Sequence, residues 1–150
     1  MRLAGFEFRS RVGQQAVDLV RDERLASIRQ LVDGFIYQLA LLIAGQEADL
    51  ESFVDTHIAL QLRSRVAPFV ESGAVVRPDF GAYGELRLDG DLLDDAALIA
   101  ANLEFDDKSV QETSDGRLLP SLRRRVQLCM QLALMPPRVV GLDIHLLNCA

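Results

Sequence analysis

The chain has 150 residues, a formal net charge of −6 and two cysteines, and it is 49% hydrophobic and 25% charged. That length and apolar content suit a single domain, residues 1–150, with a core that needs no disulfide or metal staple, and they exclude a disordered chain. The acidic balance, with no aromatic stacking platform, argues against a nucleic-acid partner.

Residues 1–9 contain basic side chains but no apolar stretch, so no secretory signal is expected there. The most apolar run, residues 35–44, is far shorter than the ~20 residues of a membrane span. Cys129 and Cys149 are too few and too irregularly placed for a disulfide framework or a zinc site. A reduced, cytosolic protein with no membrane partner is the plain expectation.

Residues 22–44 carry the clearest periodicity. Leu25, Ile28, Val32, Phe35, Leu39 and Leu42 are spaced 3, 4, 3, 4, 3, the seam of a helix that packs along its length. Ala16, Val17 and Val20 extend the stripe back toward Gln14, and Gly45 is placed to cap the end. The seam is read as internal core, with contact to a partner helix as the alternative. A second helix is expected over residues 47–67, with Leu50, Phe53, Val54, His57, Ile58, Leu62 and Val66 on its apolar side. Pro68 ends or bends it. The short link at Gly45 predicts an antiparallel helical hairpin over residues 1–72.

From residue 73 the character changes. Ala74-Val75-Val76 reads as a short strand, Arg77-Pro78-Asp79-Phe80-Gly81 as a turn, and Glu85-Leu86-Arg87-Leu88-Asp89 as a half-buried strand. Asp91 is placed to cap a short helix reaching Leu98. Residues 98–105 fit either a helix or a strand. Residues 106–117 read as a polar loop, and residues 119–134 as a helix with Leu119, Leu122, Val126, Cys129 or Met130, and Ala133 on one face. Pro136-Pro137 stops it. Residues 138–147 alternate, with Val140, Leu142, Ile144 and Leu146 on one side and Asp143 and His145 on the other. The expected fold is therefore α+β: an N-terminal helical hairpin, then a small, mainly antiparallel sheet with a packed helix.

Few residues suggest chemistry. Asp143 and His145 share a strand face, and Cys129 is a thiol that completes a Cys–His–Asp set. Ordinary amphipathic alternation yields the same Asp-x-His, and a cysteine on an apolar stripe behaves as a small hydrophobe. A small cytosolic enzyme using Cys129, His145 and Asp143 is accordingly an alternative, and a structural role comes first. Asp55 and His57 point apart on a helix. Gly81-Ala82-Tyr83-Gly84 lacks the spacing of a phosphate loop. No metal ligand set or cofactor motif is present. Nine acidic residues lie between Asp89 and Asp115, opposed only by Lys108, and Arg123-Arg124-Arg125 follows. Positive charge early in a helix gains nothing from its dipole, so the acidic stretch is the expected partner of the arginines.

The stretch from Leu122 to Leu147, with Pro137-Arg138 between two amphipathic segments, resembles the end of the baseplate wedge and sheath-initiator family of contractile phage tails. The type VI secretion baseplate has a related subunit. Those proteins end in an amphipathic helix, a Glu-Pro-Arg motif and an alternating strand; here Pro136 stands where the family has its Glu. Arg77-Pro78-Asp79-Phe80-Gly81 is similar to the family's Pro-Asp-aromatic-Gly turn. The resemblance implies a non-enzymatic structural subunit, present in many copies, that binds other baseplate or sheath proteins and seeds the sheath by strand addition. It implies no cofactor and no catalytic residues. Pro137, Arg138, Asp143, His145 and Leu147 are the partner-binding candidates it places at the C-terminus, in the cytoplasm during assembly and then in the virion or injection particle. An alkaline-shock-like scaffold also ends in a helix and an alternating strand, without accounting for Pro-Pro-Arg.

Overall fold

The structure, a computed structural model, describes residues 2–71, 73, 75–81, 85–113, 115–117, 119 and 124–147, the side chains of residues 2–14 and of Phe69 excepted. Helix α1 spans Arg2–Ile43 and helix α2 spans Thr56–Glu71. Six strands follow: β1 Val75–Arg77, β2 Arg87–Asp89, β3 Leu98–Asp107, β4 Val110–Glu112, β5 Arg124–Leu134 and β6 Pro137–Leu147. Strands β2-β3-β5-β6 form an antiparallel sheet in that order, and β1 pairs with β4 in a small antiparallel ribbon. The class is α+β.

The seam of α1 is core. Ile28, Val32, Phe35, Leu39 and Leu42 are buried, as are Leu31 and Ile36, and only Leu25 at the start of the seam is exposed. They pack in one cluster with Ile99, Ala101, Leu103 and Phe105 of β3 and Val126, Leu128, Met130, Leu132 and Leu134 of β5. Gly45, at φ +75°, closes the helix: its N–H bonds to Leu42 O at 3.0 Å and the Gln46 N–H bonds to Leu41 O at 2.9 Å, the paired bonds of a Schellman cap. The stretch Gln15–Ile43 is long and apolar enough to cross a membrane by length and composition, and 39% of its most apolar 18 residues are buried in the structure, Ile28, Val32, Phe35 and Leu39 among them.

The second helix starts later than expected. Residues 44–55 are an irregular connection, so the two helices are not a tight hairpin. Leu50 and Val54 are still fully buried, and they fill the core from this connection. Asp55 caps α2, its carbonyl accepting the Ile58 N–H at 3.0 Å. Ile58, Ala59 and Leu62 face the core, whereas His57 is exposed. Pro68 lies inside α2, which runs three residues past it.

The largest correction concerns residues 119–134, expected as a helix. Residues 124–134 are strand β5, at the centre of the sheet. The sheet therefore packs on α1 and α2, with no helix between β4 and β5 among the described residues. Residues 98–105, open between helix and strand, belong to β3, which continues through Asp106 and Asp107 into the presumed loop. Asp91 starts no helix; its carboxylate and that of Asp94 accept the Leu93 and Ala96 N–H groups at 3.0 Å each, giving two side-chain-closed turns. Ser72, Ala74, residues 82–84, Pro120, Leu122, Arg123 and Cys149 lie outside the described residues.

The turn at Arg77-Pro78-Asp79-Phe80-Gly81 forms as read. The Asp79 carboxylate accepts the Gly81 N–H at 3.0 Å, with Gly81 at φ +60°. The Asp79 carbonyl accepts the Lys108 N–H at 2.7 Å, and its own N–H bonds to Ser109 Oγ at 3.1 Å. Phe80 packs on Phe105 with ring centroids 5.0 Å apart. These contacts pin the turn to the junction of β3 and β4.

Candidate functional site

Both helices pack on one face of the main sheet, and no helix covers the other face among the described residues. Cross-strand register sets its rows. Arg87, Asn102, Cys129 and Asp143 lie side by side across four strands; Glu104, Gln127 and His145 form the next row, and Asp106, Arg125 and Leu147 the one after. Arg125 binds Asp106 at 2.9 Å and Glu104 at 3.3 Å. The hydrogen bond to Asp106 comes first in holding the Arg125 guanidinium above its ordinary pKa, and that to Glu104 second. Of the three arginines, Arg125 thus pairs with the acidic stretch, because β3 lies beside β5, and Arg123 lies outside the described residues. Arg124 sits opposite Asp107 in register, but the ion pairs belong to Arg125. A depression of about 160 Å³ opens among Glu85, Arg87, Asn102, Glu104, Arg125 and Gln127.

Cys129, Asp143 and His145 do share this face. Cys129 and Asp143 are direct cross-strand neighbours, and His145 follows one row on. The surface carrying them is open, with Asp143 and His145 exposed and Cys129 half-buried. No hydrogen bond joins the three among the described residues. Nor do the described residues hold a group of three or more His, Cys, Asp or Glu side chains fit for a metal ion.

Strand β6 is the outer strand of the sheet. Its burial alternates as predicted from Leu142 to His145, with Leu142 and Ile144 half-buried on the inner side and Asp143 and His145 exposed on the outer side; Leu146 is exposed. Val140 departs from the expected face. A bulge between Gln131 and Leu132 pairs Leu132 with Val139 and Gln131 with Gly141, so the core position passes to fully buried Val139. The beginning of the outer edge is closed by the connection before α2. Val139 N–H bonds to Phe53 O at 2.8 Å and Val139 O accepts the Asp55 N–H at 3.0 Å, a parallel bridge.

Arg138, a candidate for partner contact, is used internally. Its Nε donates to Asp55 Oδ1 at 3.1 Å and its terminal amine to Val54 O. It ties residues 54–55 to β6. Pro137 opens the strand after the Met135–Pro136 turn, whose peptide is cis. Sequence reasoning missed Val54 and Asp55 as the partners of Arg138, 83 residues away. The sequence pattern places Asp55 inside a helix over residues 47–67, and no local signal links it to Arg138.

Beyond the bridge, residues 141–146 have no strand beside them on the outer edge among the described residues. An apolar groove of about 180 Å³ opens beside this stretch, walled by Leu62 and Val66 of α2 and Ile144 and Leu146 of β6, with Leu39 and Phe105 behind.

No family model and no curated protein matches the sequence. Among solved structures, a de novo designed β-sheet protein determined by NMR in solution is similar over 82% of this chain and 91% of its own, with 8% identity and a TM-score of 0.44.

Proposed function

We propose that the chain is a structural subunit without enzymatic activity, acting by protein–protein contacts. The assembly is a contractile tail or injection-machine baseplate, where the subunit joins wedge components and seeds the sheath by strand addition. The outer edge of β6 over residues 141–146, which has no strand beside it among the described residues, carries the reading. Backbone groups on such an edge pair readily with an incoming strand, and alternate side chains of that strand find pockets beside it. Here the groove along Ile144 and Leu146 supplies the apolar pocket. The resemblance of the Arg77–Gly81 turn and of the Pro137-Arg138 pair to that family supports this choice of assembly. Strand β5 stands where that family has a helix, so the support comes from these two motifs.

The test is co-expression with sheath and wedge proteins, followed by sedimentation of the particles. Leu146 is 60% exposed, so Leu146→Lys should leave thermal unfolding unchanged while a lysine on the edge blocks pairing. Removing residues 147–150 should act the same way. Normal particle yield with both variants would sink strand addition at this edge.

A further inference from the structure

Helix α1 outruns the body it packs on. Burial begins at Ile28, and residues 15–23 are exposed save for half-buried Val17. Arg24 bonds to Leu92 O and pairs with Asp95 at the margin of the body. From Arg2 to that point the helix continues for about 33 Å at 1.5 Å per residue. A lone helix of this length is marginal in water. This one has no acidic residue in its first turn to offset the dipole, and it exposes Leu19 at 64% and Val20 at 39%.

The arm has its own seam, out of phase with that of the core. Leu3, Phe6, Ser10, Gly13, Val17 and Val20 are spaced 3, 4, 3, 4, 3. The order is symmetric about its centre. Laid antiparallel on a copy of itself, Leu3 takes the register position opposite Val20, Phe6 opposite Val17, and Ser10 opposite Gly13. The two small residues at the centre permit close approach of the axes. Charge follows the same symmetry. The first part of the arm carries Arg2, Arg9 and Arg11 against Glu7, and the later part carries Asp18, Asp22 and Glu23 against Arg21, so the net charge changes sign along it. Antiparallel pairing sets the net-basic part beside the net-acidic part, with Arg2 and Glu23 at matching flanking positions; parallel pairing sets like beside like.

We infer that the projecting half of α1 is a dimerisation arm whose occupant is the arm of a second copy of this chain, antiparallel and two-fold symmetric. Such an interface is self-complementary and closes at two copies. It is separate from the β6 edge and stands or falls independently of strand addition.

Sedimentation equilibrium of the full chain reads the result directly. Twice the 16.6 kDa chain mass is expected at ~100 µM. Val17→Asp should raise the dimer dissociation constant at least about tenfold with circular dichroism of the sheet unchanged. Glu23→Arg should weaken the dimer, and adding Arg2→Glu should restore it, which only an antiparallel pair explains. A chain that stays monomeric at ~100 µM, a dimer indifferent to Val17→Asp, or a charge reversal that fails to restore pairing each overturns the proposal.

Discussion

Arg138 is about one-third exposed and still holds two partners on one segment, Asp55 and the Val54 carbonyl. Solvent screens the charge part, so its value lies in the hydrogen bonds and in keeping residues 53–55 bridged to Val139. Arg138→Ala should lower stability by about 1 kcal/mol in urea unfolding. Arg138→Lys should recover little, since one ammonium cannot reach both acceptors in the fixed fork geometry. Glu51 is a second paired residue, at the surface. Its hydrogen bond from Arg63, at 2.8 Å, holds its carboxyl below the ordinary glutamate value. A depressed carboxyl favours the fold above its unfolded pKa, and that contribution disappears as pH falls through the folded value. An NMR titration should find Glu51 titrating lower in the native chain than in Arg63→Met.

Elements depend on contacts that a one-dimensional pattern does not carry. Gly34 sits inside α1, where alanine would be the better helix former by about 1 kcal/mol. A Cβ there would lie 2.3 Å from the Phe53 ring, which packs directly on the helix backbone. Gly34→Ala should therefore lower the thermal midpoint, with overpacking of about 1–3 kcal/mol exceeding the propensity gain. The α1 seam was legible because a 3-4 spacing over six apolar residues has one geometric meaning. Strand β6 was legible through its alternation up to the bulge, which hands the core position from Val140 to Val139 and has no sequence mark. Strand β5 was misread because Val126, Met130 and Ala133 fit a helical stripe, while Val126, Leu128, Met130, Leu132 and Leu134 fit a strand face equally well. The unbroken run of five apolar residues at every second position was the better signal. The gathering of Cys129, Asp143 and His145 on one face followed from the same strand pairing and could be only half seen while residue 129 was placed on a helix. The clamp on Arg138 was invisible, because nothing local links residue 138 to residue 55.

At the scale of the molecule, helices precede nearly all of the sheet in the chain, yet the buried face of α1 is completed by residues 99–134. The order of synthesis is thus the reverse of the order of support. While a ribosome makes β1 and β2, the seam from Ile28 to Leu42 has no sheet to lie on and presents a continuous oily strip. Such contacts, distant in sequence, make folding slow and late. A chain stopped after Asp107, lacking β5 and β6, should bind an apolar dye such as ANS and unfold without a cooperative transition, whereas the complete chain should do neither. In the cell, the interval between the emergence of α1 and the arrival of β5 is a window of vulnerability, when a chaperone has most reason to hold this chain.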